Sequence, residues 1–335
     1  MNIEQLINKD AEKNSPYMGG FINHLPMVKY ALFSITNDIK KVENYVEYYL
    51  KNYNIDKVKT NYEKVNSTEE CLGKKELYES CLDFIRNNLG EENIEELVRS
   101  TLSKYPLGLS SGLFHTIIRL AYSIEGYQVN KQLKPEVERA MAYYITGYKE
   151  GSLFKRRISK EDVIVEMNSL IEDKEIKDIR YSNISLGQKL KKLYSDEHYL
   201  KRGFTIEGNG EDKVKGILQI LMPAFYNSDS IVMLHCITGL QAVITLKDYF
   251  EDYEGVLDIY TTTALTHLLT QTDLDIRKQN TKLEESWDEI LKKAAESKNV
   301  HTIKLAYTCK KLYDMFKVND LKYTINKRIE LEKNN

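Results

Sequence analysis

In the stretch LPMVKYALFSI, residues 25–35, apolar side chains stand at 25, 28, 31, 32 and 35. That i, i+3, i+4 spacing places them on one face of a helix, and it recurs along almost the whole chain. Helices are predicted over 36–53, 75–89, 93–104, 112–127 and 135–149. They resume over 213–225, 229–252, 255–271, 282–296 and 299–317, ahead of a polar tail. Pro26 suits a first helical turn, where a missing N–H costs nothing. No sustained strand alternation is present. Five prolines and sixteen glycines in 335 residues are too few for a sandwich or barrel with many tight turns. The segment 150–215 differs. It carries the charged runs FKRRISKED, EDKEIKD and EGNGEDK, and is expected to hold short helices at 161–174 and 185–194 joined by exposed loops. Gly208-Asn209-Gly210 marks a break within it. The expected fold is all-α: a single compact multi-helix bundle over 1–335, with 150–215 as a charged insertion or mobile lid over a pocket.

Charge and motifs narrow the function. A net charge of −2 offers neither a nucleic acid nor an anionic membrane an obvious surface. The N-terminal MNIEQLINKDAEKN has no signal- or transit-peptide character. The longest apolar run, IVMLHCITGLQAVITL at 231–246, contains His, Gln, Gly and two Thr and is short for a bilayer span, so it reads as a buried core helix. The four cysteines are scattered without a CxxC pair, which suits reduced thiols in a cytoplasmic protein. HExxH, P-loop and GxSxG patterns are absent, and GNGEDKVKG lacks the third glycine of a dinucleotide fingerprint, so no flavin or NAD site is evident.

The histidines are the informative residues. Only six occur, and four lie in apolar helical contexts: His24 in FINHLPMV, His115 in GLFHTIIRLAY, His235 in VMLHCITGLQ and His267 in TTTALTHLLTQ. Each alone reads as a core histidine with one satisfied hydrogen bond. Together they read equally as a metal site, because imidazole is the commonest metal ligand and bundle interiors are where facing helices build such sites. Gly239, one turn after His235, is expected to leave room for an ion or substrate. Cys236 is expected to be packing, and His198, in the charged SDEHYLKR, a surface residue. Near the C-terminus His301 and Lys304 share a helix face in NVHTIKLAYTC. Lys304 either snorkels to solvent or is buried as a neutral amine able to take up carbon dioxide as a carbamate. Arg119 and Tyr122 lie on the face of His115. Buried in such a run, Arg119 must find a partner, and a buried carboxylate is the ordinary alternative to a functional one.

The ordered segments NHLPMV, GLFHTIIRLAYSIE, LHCITG and VHTIKLAYTC, spread over residues 23–309, resemble the questin oxidase-like family. Its members include enzymes that oxidatively open the ring of anthraquinones. The resemblance implies a non-haem iron(II) centre held by four histidines and a carboxylated lysine. Carried over by motif, the ligands are His24, His115, His235, His267 and Lys304, with His301 as the rival of His267 or as a group supporting the ligands. Other divalent metals remain open, since imidazole sites accept several. The implied partners are dioxygen and an aromatic or polyketide-like small molecule, with Arg119 and Tyr122 as catalytic candidates. Two other classes stay open: a flavin- or NADPH-dependent Baeyer–Villiger-type monooxygenase, and a non-catalytic helical binding module.

Overall fold

The computed structural model describes residues 2–88 and 94–334. The expected helix limits at 89 and 93 lie outside the described residues. In chain order the helices are α1 (Ile3–Ala11), α2 (Leu25–Thr36), α3 (Ile39–Asn52), α4 (Tyr78–Asn88), α5 (Ile94–Lys104), α6 (His115–Val129) and α7 (Lys134–Thr146). Next come α8 (Val163–Glu172), α9 (Lys174–Tyr181), α10 (Leu186–Ser195) and α11 (Glu197–Arg202). The set ends with α12 (Gly210–Ser228), α13 (Ile231–Thr245), α14 (Tyr253–Leu268), α15 (Trp287–Ala294), α16 (Val300–Phe316) and α17 (Asp320–Asn334). Helix accounts for 68% of the chain and strand for 4%, so the fold is all-α. The strands are a short antiparallel pair, β1 (Tyr17–Met18) with β2 (Phe21–Ile22), and a parallel pair, β3 (Arg156–Ile158) with β4 (Phe204–Ile206). No helix among the described residues is long and apolar enough to cross a membrane.

Side-chain caps set several boundaries. Asp38 accepts from the backbone of Lys40 and Lys41 at the start of α3, and Ser230 accepts from Val232 at the start of α13. Asn209, the middle of the glycine-flanked break, caps α12 through the backbone N–H groups of Glu211 and Asp212. Asn299 does the same for α16 by accepting from the N–H of His301 at 2.9 Å. The polar tail is itself a helix, α17. Its Leu321, Ile325 and Ile329 recur every fourth residue and are buried on the side that meets α12 and α16.

The 150–215 segment is more firmly packed than a loose cover. Val163 and Met167 of α8 are fully buried and Leu170 nearly so, while Phe154, Tyr199, Phe204 and Ile206 join the same hydrophobic core as the rest of the chain. Gly216 of α12 lets this layer approach closely: a Cβ there would come within 2.9 Å of Ile206 and 3.4 Å of Val163. The buried pair of Lys213 and Asp258, joined by Arg157 at 3.1 Å, ties β3 to α12 and α14. The charges that mark the segment in the sequence fall mainly on the outer faces of its amphipathic helices.

Candidate metal centre

Helices α2, α6, α13 and α16 close a ring: α2 packs on α6, α6 on α13, α13 on α16 and α16 on α2. Each brings one histidine to its interior. His24 is the N-cap residue of α2, His115 opens α6, His235 lies in the second turn of α13, and His301 lies in the first turn of α16. The first three are at most 8% exposed, and His301 is half-buried. One ligating nitrogen from each of the four lies within 4.8 Å of the others. Neighbouring rings stand with centroids 4.6 Å (His24–His115), 4.3 Å (His115–His235), 5.1 Å (His235–His301) and 4.8 Å (His301–His24) apart. This cluster could hold a metal ion.

Hydrogen bonds fix the ring tautomers. His24 Nδ1 is 2.7 Å from the carbonyl of Ile22, His115 Nδ1 2.6 Å from that of Gly112, and His235 Nδ1 2.7 Å from that of Ile231. A carbonyl only accepts, so each Nδ1 carries the proton and each Nε2 presents a lone pair. Nevertheless, Nε2 of His24 and Nε2 of His115 face each other at 2.7 Å, and Nε2 of His235 is buried with no partner. Two acceptors at that separation repel unless a cation sits between them. Donors at right angles around one ion, each about 2.1 Å from it, stand about 3.0 Å apart, close to what the two histidines already show. Backbone carbonyls gripping the remote ring nitrogen are also what metal-bound imidazoles use to hold their orientation.

Protonation would relieve the repulsion, but the surroundings oppose it. Burial holds His24, His115, His235 and His301 well below the usual imidazole value, and the charge of Lys304 pushes all four further down. Lys304, one turn after His301, is fully buried and its Nζ has no hydrogen-bond partner. It does not snorkel. Burial lowers it from 10.5 to about 7, so a large share of its amine is neutral near neutrality.

His267 does not join the group. It ends α14, which packs on α13, α12, α10 and β4 outside the four-helix ring. Its ring lies 5.1 Å from that of Phe114, and its Nδ1 bonds the carbonyl of Thr263 at 2.7 Å. The fourth imidazole is instead His301, which shares the face of Lys304. The space expected at Gly239 is filled by Phe114: a Cβ on Gly239 would meet that ring at 2.8 Å. Gly112, Leu113 and Phe114, immediately before His115, all have positive φ, at 58°, 57° and 64°. That conformation is costly for Leu and Phe. It seats Phe114 against Gly239 and turns His115 back toward the carbonyl of Gly112, and nothing in local sequence announces it.

Arg119 is paired with the buried Glu136 at 2.8 Å, and Arg139 shares that carboxylate at 3.4 Å. The Tyr122 hydroxyl is buried without a partner, and its ring packs on Tyr307 at 5.2 Å. Neither side chain makes a hydrogen bond, ion pair or ring contact with the four imidazoles. Arg119 follows the carboxylate-pairing alternative. Cys236 is buried, and burial pushes its thiol up, away from a nucleophile's range. His198 is exposed and bonds Asp173 at 2.8 Å.

The buried neutral bases make stability depend on pH. An imidazole whose folded value is depressed binds fewer protons in the folded chain than in the unfolded one, where it titrates near 6.5. The stability of the metal-free protein therefore falls as pH drops through about 6.5. Lys304 adds a loss of the same sign between about 10.5 and about 7. Thermal melts of metal-free protein are expected to show a melting temperature that declines steadily from about pH 9 to about pH 5. A flat profile would mean that the four imidazoles and the amine are not buried in neutral form.

No protein-family model matches the chain, and no curated protein matches it.

Proposed function

We propose that this chain is a metal-dependent oxygenase, with iron(II) as its metal and an aromatic or polyketide-like small molecule as its substrate. Oxidative ring cleavage is the proposed class of reaction. The metal is supported by one observation above the others: the Nε2 atoms of His24 and His115 face each other at 2.7 Å while a backbone carbonyl engages the Nδ1 of each ring. The oxygenase part is supported by the resemblance of the four ordered segments to the questin oxidase-like family, with His301 rather than His267 as the fourth imidazole. The donor set suits iron, although imidazoles also accept zinc, copper and nickel. Bound iron(II) would supply one-electron chemistry toward dioxygen.

The chain's own residues would hold and shield that centre. His24, His115 and His235 present Nε2, and the carbonyls of Ile22, Gly112 and Ile231 keep their rings from turning. Three of the four histidines sit at helix N-termini, whose partial positive charge disfavours a dication. The donor cluster contains no carboxylate. Lys304, as a carbamate, would supply the missing negative charge.

Oxygen-electrode measurements test the reading. Untagged protein is loaded anaerobically with iron(II) and offered hydroxylated naphthalenes and anthraquinones. Oxygen uptake matched by loss of the aromatic compound is expected with iron, and none with zinc-loaded or metal-free protein. Turnover by metal-free protein that requires NADPH and a flavin would replace this reading with the Baeyer–Villiger one. No uptake with any compound would leave the oxygenase without support.

A further inference from the structure

The four imidazoles are not held alike. His24, His115 and His235 each give the Nδ1 proton to a backbone carbonyl, of Ile22 at 2.7 Å, Gly112 at 2.6 Å and Ile231 at 2.7 Å. These three residues are 8%, 5% and 1% exposed. Turning any of their rings breaks that bond and leaves a carbonyl without its donor, which is costly inside a protein. His301 differs on both counts. It is half-buried, and among the described residues no group hydrogen-bonds its ring. Its backbone N–H bonds the Asn299 side chain at 2.9 Å, which fixes the start of α16 but not the imidazole. The ring rests only against those of His24, at 4.8 Å, and His235, at 5.1 Å. The chain leading to it lies at the surface, with Glu296 and Lys298 exposed and Ser297 and Asn299 half-buried. A metal-bound imidazole without a partner on its remote nitrogen holds its ion about 10–100-fold less tightly.

We propose that His301 is the exchangeable arm of the centre: its imidazole swings outward to admit and release the metal, while His24, His115 and His235 stay in place as a fixed three-nitrogen cup. This rests on the metal reading, and not on the oxygenase one. When the arm opens, the bond between the metal and His301 breaks and a water molecule from the surface takes the vacated position. No proton and no electron changes hands. Motion of this one side chain is enough, because the other three rings keep their carbonyl partners throughout. The asymmetry is built into the chain. Ile22, Gly112 and Ile231 stand two, three and four residues before their histidines and turn a carbonyl back onto the ring. The residues before His301 supply no such carbonyl.

Zinc affinity of untagged protein, measured by competition with a chromogenic chelator, tests this in His301→Gly and His235→Gly with imidazole or 1-butylimidazole added. Removing a half-buried ring leaves a notch open to solvent, whereas removing the His235 ring leaves an enclosed void. 1-Butylimidazole has no N–H for a carbonyl and needs an opening for its tail. Both additives are expected to restore zinc binding to His301→Gly, by about tenfold once each stands about tenfold above its own dissociation constant. His235→Gly is expected to gain nothing from 1-butylimidazole. A second measurement needs no variant. In zinc-loaded wild type with nitrogen-labelled histidine, three ring N–H groups are expected to exchange slowly with water and that of His301 quickly. Rescue of His301→Gly by neither additive or by imidazole alone would overturn the inference. So would equal rescue of His235→Gly by 1-butylimidazole, or a His301 ring N–H as slow to exchange as the other three. A wild-type chain that binds no zinc and no iron would remove the metal reading and this inference together. A zinc-binding chain that fails these tests would lose the exchangeable arm alone.

Discussion

Metal added to the metal-free protein is expected to raise its melting temperature by about 6 °C at a thousandfold excess over the dissociation constant, and His235→Ala is expected to erase that rise. Binding at that excess stabilises the folded state by about 4.1 kcal/mol. An unfolding entropy of about 2.1 cal/mol/K per residue, over 335 residues, converts this to about 6 °C. The variant should not simply unfold. In the metal-free chain the His235 Nε2 is a buried acceptor without a donor, a state that costs about 1–3 kcal/mol. Removing the ring relieves that cost while opening a void, and the two effects oppose each other. The metal-free variant should therefore melt near the wild type but no longer respond to metal. His267→Ala should keep the full response, since its ring lies outside the group. A response lost in His267→Ala and kept in His301→Ala would reverse the assignment of the fourth ligand.

Lys304→Met is expected to cost at least about a hundredfold in metal affinity and to abolish turnover, while leaving the metal-free protein as stable as the wild type or more so. Removal of a group that merely orients a ligand costs about 10–100-fold, and a directly bound anionic donor should cost more. The amine sits in an apolar setting with Val300, Ile303 and Ala306 as neighbours on its helix, has no hydrogen-bond partner and is fully buried. Methionine keeps most of its length and loses the desolvation penalty. Lys304→Ala should show the same loss of metal with some cost in packing. Lys304→Glu, a shorter carboxylate, should recover part of the metal binding without full activity. Carbamate formation joins Nζ to the carbon of carbon dioxide and releases one proton. Isotopically labelled carbon dioxide should therefore give a carbamate carbon signal in the metal-loaded wild type and none in Lys304→Met. Normal iron content and turnover in Lys304→Met would remove the lysine from the centre.

Most helices were legible because their apolar spacing is local. The pattern in LPMVKYALFSI becomes α2, and the expected segments 161–174 and 185–194 become α8 and α10 to within a few residues. The C-terminal tail was harder to read: its mean polarity hides Leu321, Ile325 and Ile329, three residues enough to hold α17 once α12 and α16 are beside it. The charged insertion misled in the same way, since charge on an outer helix face says nothing about burial of the inner one.

At the site, His24, His115 and His235 stood out as imidazoles in apolar runs, and Lys304 as an amine in another. The choice between His267 and His301 could not be made from such runs, because His267 lies in the more apolar one. It depends on which helices close the ring: α16 does, and α14 packs outside it. The spacing of three between His301 and Lys304 was the local signal that pointed to the imidazole found in the cluster. The turn before His115 left no signal. Leu113 and Phe114 are not residues that favour positive φ, and only the fit of Phe114 against Gly239 accounts for their conformation.

Four imidazoles from four helices are expected to hold one metal ion. Anomalous diffraction from crystals of untagged protein, recorded on both sides of the absorption edge of the bound metal, tests it most directly. The expected result is a single peak per chain within about 2.2 Å of a ring nitrogen from each of His24, His115, His235 and His301. Additional density on Lys304 Nζ would mark the carbamate. A peak bonded to His267 in place of His301, or the four imidazoles gathered as they are with no metal peak between them, would contradict it.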